Sequence, residues 1–296
     1  MSTTFESARE TDASRPGRAA TWRRSLLARY PTAVLGGLIL IVMILAAVFA
    51  PFLFTGDPVR LNPITRLKPP GAEFWFGTDM FGRDVYSRVV YGARISLIVG
   101  LLAAFFSVVA GVLIGLVAGF VRWLDSVVMR IMDGIMAIPG ILLAVALISL
   151  SGASLTTVTI AITIPEIPRV VRLVRSIVLS VREEPYVEAA VAAGTRMPVI
   201  LARHVLPNTI PPLIVQATYV CASAMLTEAI LGFLGAGTPP AIPSWGNIMS
   251  EGRALFQIAP WTIFFPGIAL ALTVLGVNIL GDGLRDTLDP RIARRM

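Results

Sequence analysis

Residues 95–120 form a run of 26 positions without one charged side chain. A helix needs about 20 apolar residues to cross the hydrocarbon core of a bilayer. This run is one of several. Apolar stretches also occur at 33–54, 210–234 and 261–280. Between Gly134 and Pro165 there are 32 further residues without a charge. That length is too short for two full spans and too long for one, and 149–154 reads as a tight turn. Two spans therefore share it, with the flanking charges Arg130 and Asp133 inside the helix near one surface. These two are three apart, lie on one helix face and are expected to pair. Pro139-Gly140 is expected to kink the third span. The pattern predicts an all-α polytopic membrane protein with six transmembrane helices.

Composition agrees. The chain is 15% charged, against about 25% for soluble domains. Its net charge is +7, and 24 of the 25 basic residues are Arg. They are spread between apolar runs, which suits loops beside a membrane and not a nucleic-acid surface. With six spans and both ends inside, 18 basic residues fall on inner segments and 7 on outer ones, as the positive-inside rule asks. The single Cys221 permits no intrachain disulfide, and with the single His204 it leaves no Cys/His metal cluster. The 25 Gly suit close helix packing in lipid.

One polar stretch, 188–207, reads EAAVAAGTRMPVILARHVLP. Pro185 suits a first helical position, Glu184 a helix cap, and Glu188 the positive end of the dipole. Ala189, Ala190, Ala192 and Ala193 leave a thin surface, and Gly194 is a natural stop. A second short helix is expected over 197–204, ending before Leu206-Pro207. On local features alone this is also an ordinary amphipathic surface helix. The order Glu188-Ala189-Ala190, Gly194, Leu206-Pro207 resembles the "EAA" loop of permease subunits of binding-protein-dependent ABC importers. His204, where many members have Ile, and the run His204-Val205-Leu206-Pro207-Asn208 resemble the peptide-transporter branch.

Three further segments resemble the same dipeptide, oligopeptide and nickel branch. They are Gly77-Thr78-Asp79 with Gly82-Arg83-Asp84 and Gly92-Ala93-Arg94; Glu228-Ala229 through Gly235; and Gly281-Asp282-Gly283-Leu284-Arg285-Asp286 with Leu288-Asp289-Pro290-Arg291. Locally, Asp79 and Asp84 also fit helix caps, and Arg83 between them disfavours a metal. The resemblance implies a type I ABC importer permease fold. It implies that Glu188, Ala189, Ala190, Gly194, Leu206 and Pro207 couple to an ATPase. The implied partners are a second permease, two ATPase subunits or domains and an extracytoplasmic solute-binding protein, in a bacterial inner membrane with both termini cytoplasmic.

The expected division is a tail at 1–31, a first helix and extracytoplasmic segment at 32–94, a core at 95–283 with the coupling loop at 183–207, and a tail at 284–296. The first span reads as an uncleaved anchor, since Pro51 directly follows the possible cleavage point after Ala50 and would block cleavage, and the run is long for the apolar region of a signal peptide. The sequence has no Gly-x-x-x-x-Gly-Lys-Ser/Thr loop, so no cofactor is expected on this chain, with ATP and Mg on the partners. Arg130, Asp133, Gln216 and Glu228 are the candidates for gating or translocation. Arg169, Arg172 and Arg175 read as a surface anchor, and Glu166 as a partner of Arg169 or a polar lining. The cargo is expected to be a di- or oligopeptide. A nickel- or opine-type cargo, or an ion-coupled secondary transporter using Asp133 or Glu228, is the alternative. An intramembrane hydrolase is disfavoured, because the only His lies in an inner loop and the only Lys, Lys68, in an outer one.

Overall fold

The computed structural model describes residues 31–288. The tail expected before residue 31 and the Asp289-Pro290-Arg291 end of the last motif lie outside the described residues. Among those described, the chain is helical with no strand, only an isolated bridge between Thr78 and Asp84. We label the helices α1 (Pro31–Val48), α2 (Val85–Phe120), α3 (Arg122–Ala137), α4 (Gly140–Ser151), α5 (Leu155–Val181), α6 (Pro185–Ala192), α7 (Met197–Ile200), α8 (Leu206–Phe233), α9 (Trp245–Gly252) and α10 (Trp261–Leu288).

The second span starts ten residues earlier than its charge-free run. Asp84 caps α2, its carboxylate accepting from the Tyr86 and Ser87 amides, so Arg88 and Arg94 are helical. At 36 residues and 1.5 Å each, α2 is about 54 Å long and extends past the hydrocarbon core.

The third span departs most from expectation. The kink at Pro139 is a break that bends α3 and α4 by 86°. Ile138 is extended at φ −92°, ψ 126°, as a residue before proline prefers, and Pro139 has no amide to carry the helix through. By length and composition, α1, α2, α7–α8 as one helix and α10 are each apolar enough to cross a membrane, and the bent pair counts as one broken span or a re-entrant loop. The remaining expected span, α5, has the length at 27 residues. It misses the apolarity because Glu166, Arg169 and Arg172 are helical.

Packing is set by glycine. Gly111, Gly115 and Gly119 of α2 meet Val170, Val174 and Val178 of α5 at the same four-residue spacing. A Cβ placed on Gly115 or on Gly119 would stand 2.8 Å from the Cβ of Val174 or Val178 respectively. All three valines are fully buried. Without a hydrophobic force between helices in lipid, such close approach supplies the dispersion that holds them. Gly36 on α1 plays the same part against the Gly276–Leu280 backbone of α10, and Gly232 on α8 against Gly246 of α9.

Arginines complete the half of the bundle that bears α3 and the end of α5. The expected Arg130–Asp133 pair does not form. Arg130 is exposed, and Asp133 instead accepts from Arg172 Nη2 at 2.6 Å. Arg175 makes a two-pronged pair with Asp125, Nη2 to Oδ2 at 2.6 Å. Since α5 runs beside α3, its side chains reach the acids more directly than a neighbour on α3 does. Two of the three rungs of the arginine ladder, Arg172 and Arg175, are thus a strap between helices and not a free surface anchor, while Arg169 pairs with Glu166 on its own helix.

At the opposite end of the bundle a largely buried four-charge cluster ties the start of α2 and the segment before it to α9. Arg83 Nε and Arg88 Nη1 donate to Asp79 Oδ2 at 2.6 and 2.7 Å, and both guanidinium groups also pair with Glu251. Arg88 is 1% exposed. Trp245 Nε1 donates to the Val89 carbonyl at 3.0 Å, and Trp261 Nε1 to that of Thr78 at 3.0 Å. Phe76 stacks on Phe265 with centroids 3.9 Å apart. The segment 239–260 is accordingly a packed cap.

Gly115→Leu is expected to cost about 1–3 kcal/mol by overpacking the seam, read as a lowered melting temperature of the purified protein. Gly134→Ala, where an added Cβ meets nothing within 4 Å, is expected to leave that temperature unchanged or raise it. Arg88→Met leaves Asp79 and Glu251 to share Arg83, with one negative charge uncompensated, and is expected to cost about 3–5 kcal/mol. The double change with Asp79→Asn, which leaves Arg83 balanced by Glu251, is expected to recover part of that loss on the same assay.

Candidate functional site

Two features stand apart from packing. The first is the loop after α5. Pro185 occupies the first turn of α6, and Glu184 takes the cap position, though its side chain makes no capping bond. Gly194 at φ +74° ends the helix, with its amide on Val191 O and the Thr195 amide on Ala190 O, the double bond of a Schellman stop. Val187 is buried at 1%, and Ala190 packs on the same core. Glu188, Ala189, Val191, Ala192 and Gly194 are exposed. Among the described residues Glu188 has no hydrogen-bond or ion-pair partner. The loop presents a small, mostly apolar helix face with one carboxylate.

The second short helix does not end where expected. After α7 the chain stays helical through a π turn, Leu201–Val205, and enters α8 directly. The Leu206 amide donates to Leu201 O, five residues back. Pro207, with no amide, sits in the first turn of α8, where none is needed. Asn208 Nδ2 donates to the His204 carbonyl at 2.7 Å and to the Tyr186 hydroxyl at 3.2 Å, tying the π turn to α6. Leu206 and Pro207 are thus the root of a helix, and the loop continues into the membrane without a joint of coil.

The second feature is a pocket of ≈ 280 Å³ between the α3–α4 break, α5 and α8, with Glu166, Arg169, Ser223 and Thr227 as its polar lining. Glu166 is 7% exposed. It accepts from Ser223 Oγ at 2.9 Å and from Arg169 Nη1 at 3.2 Å. The Arg169 side chain is 43% exposed, and its guanidinium also lies 5.9 Å from the centre of the Tyr219 ring. Pro165 and Gly140 form the apolar corner, 3.2 Å apart at their β positions.

None of the four residues expected at a gate or pathway lines this pocket. Glu228 is fully buried, its Oε2 accepting from Ser96 Oγ on α2 at 3.0 Å, and its Oε1 has no partner among the described residues. Gln216 is half-buried on α8, Asp133 is paired with Arg172, and Arg130 is exposed. Glu166, Ser223 and Thr227 carried a weaker signal. An acid between Pro165 and Pro168 with an Arg three residues on was visible in the sequence, but two hydroxyls four apart on a later span were not distinguishable from helix packing.

A bundle of long apolar helices, one broken, with a polar pocket and an exposed helical loop, is the architecture of a membrane-spanning transport subunit. The chain belongs to the family described as the binding-protein-dependent transport system inner membrane component, which matches residues 107–294. Residues 19–70 match the N-terminal TM domain of oligopeptide transport permease C. Among its relatives is a probable peptide ABC transporter permease protein of Sinorhizobium fredii, 58% identical over 90% of this chain and 91% of the relative. The dipeptide transport system permease protein DppC of Alkalihalophilus pseudofirmus is 46% identical over 92% and 90%. The glutathione transport system permease protein GsiD of Escherichia coli is 41% identical over 92% and 89%. Among solved structures, an inward-facing MetNI methionine ABC transporter matches with a TM-score of 0.57 at 21% identity, over 68% of this chain and 96% of that one. That likeness shows the type I importer permease fold.

Gly194→Val forces a β-branched residue into left-handed backbone. It is expected to unravel the end of α6 and raise amide exchange across 190–196 at least tenfold, while α2 and α5 amides stay protected.

Proposed function

We propose that this chain is one of two permease subunits of an ATP-driven importer, and that it carries a di- or oligopeptide across the bacterial inner membrane. The relatives named for peptide, dipeptide and glutathione transport, at 41–58% identity over most of both chains, support this reading. ATP hydrolysis belongs to separate subunits, which bind the nucleotide and Mg. A solute-binding protein delivers the cargo from outside, and a second, related permease completes the path. Both termini face the cytoplasm, which puts α6 on the side where the ATPases stand.

The observation that carries the mechanism is α6. It is anchored by Val187 and leaves Glu188, Ala189, Val191 and Ala192 uncovered. Small residues allow a groove on a partner to close tightly on the backbone. Glu188, in the first turn, leaves one charge for an oriented contact. When ATP closes the ATPase pair, α6 moves with it. The π turn and α8 carry the displacement inward because no coil intervenes. The spans then exchange between inward- and outward-facing states, each ligand biasing the state that it binds better.

Val191→Arg, on the uncovered face of α6, is expected to lower recovery of the ATPase subunits with the tagged complex at least tenfold and to abolish ATP-driven peptide uptake. Insertion in the membrane stays normal. Glu188→Ala is expected to reduce uptake more than assembly. Full assembly and uptake in Val191→Arg would overturn this role for α6.

A further inference from the structure

The pocket between the broken helix pair, α5 and α8 has a chemistry that the coupling mechanism does not use. Glu166 lies eleven residues from the outer end of α5 and Ser223 ten from that of α8. At 1.5 Å per residue both sit about 15–17 Å down, near the middle of a core about 30 Å thick. A carboxylate and a guanidinium at that depth are costly toward lipid, and such groups face a bundle interior or a water-filled cavity. Here they line a cavity of ≈ 280 Å³. Arg169 is partly free: its contacts to Glu166 are long, at 3.2 and 3.3 Å, and its side chain is 43% exposed. This is a separable pair and not a locked one. The contrast is the outer cluster, where Arg88 is 1% exposed and bonded at 2.7 Å.

Resting on the importer reading above, we infer that this pocket is a transient cargo site for a peptide with free ends. Glu166 receives the α-ammonium, Arg169 the α-carboxylate or a backbone carbonyl, and Ser223 and Thr227 offer hydroxyls to the peptide groups between. The two side chains satisfy each other when the site is empty, so no bare charge is left at membrane depth. A zwitterion replaces each partner by a like one, so entry and exit both exchange ion pairs without creating an unpaired ion. The apolar wall of Ile135, Met136 and Ile162 leaves side chains unread, as a path for mixed sequences requires. A site that reads only the ends binds weakly enough to release its cargo.

The test uses the assembled transporter in nanodiscs, with Cys221→Ala removing the native thiol and Thr227→Cys as a reporter in the pocket. The rate of thiosulfonate labelling is followed with trialanine, N-acetyl-trialanine and trialanine amide, in the nucleotide-free and vanadate-trapped states. Trialanine is expected to slow labelling about tenfold in at least one state. Both blocked peptides are expected to protect far less, since each loses one charge-assisted bond. Glu166→Gln is expected to erase the advantage of trialanine over its N-acetyl form while keeping that over the amide. Met136→Cys, on the other wall, serves as a second reporter and should show the same order. Equal protection by all three peptides, or none in either state with both reporters, overturns the site. The importer reading fails on a different result, uptake by the unaltered complex that ignores ATP.

Discussion

The close approach of α2 and α5 is the constraint on which the other contacts depend. In lipid there is no solvent to drive two helices together, so contact must come from shape. Three glycines on one helix and three valines on the other supply it over two full turns. With α5 drawn against α2, Arg172 and Arg175 fall within reach of Asp133 and Asp125 on α3. The break after α3 then sets Gly140 against Pro165, which closes one side of the pocket. The loop bearing α6 begins where α5 ends, and Arg182 there donates to the carbonyl of Gly119, the last glycine of the seam, at 3.2 Å. Pocket and loop are therefore positioned by the same helix pair.

Buried charge is handled in three ways along the membrane axis. At one end, two acids and two arginines neutralise one another in a packed cap. At mid-depth Glu166 and Arg169 form a looser pair facing a cavity. Toward the other end Asp125 and Asp133 strap α3 to α5. Glu228 is a fourth case, a carboxyl among close-packed helices with a single hydroxyl partner. Its neighbour Ala229 packs directly on Gly246, with that glycine's Cβ position 2.9 Å from Ala229 Cα. It is better placed to fix α8 against α2 and α9 than to meet a solute.

Much of this fold was legible because lipid demands uninterrupted apolar helix. The runs at 95–120, 210–234 and 261–280 each lie within a long helix, while the run at 33–54 is helical only to Val48 and then turns through a short 3-10 segment at Ala50–Phe52. Pro185 and Gly194 marked the bounds of α6, since one lacks a donor and the other tolerates positive φ. What was not legible involves partners distant in sequence. Arg172 takes Asp133 from its local neighbour across 39 positions, and Glu251 joins Arg88 across 163. The pocket was illegible for the same reason: its polar groups come from separate helices, and each looks like ordinary packing alone. The helical passage through Leu206-Pro207 was missed because a proline reads as a stop. A π turn displaces the register by one residue and puts that proline where no amide is wanted.

That passage has a mechanical meaning. From Met197 to Phe233 the chain is one helix of 37 residues, about 55 Å of rod with its foot beside α6 and its head under the outer cap. A rod transmits rotation as well as thrust. Its compliant points are the π turn and the Pro211-Pro212 pair, both in the half nearer α6. Twist applied at the foot is absorbed or passed on there, and the segment beyond Pro212, carrying Ser223, Thr227 and Glu228, is a shaft without a further break. Ser223 and Thr227 of the pocket wall and the sealed carboxyl beside Ser96 all stand on that one shaft, so a turn that moves one moves the others.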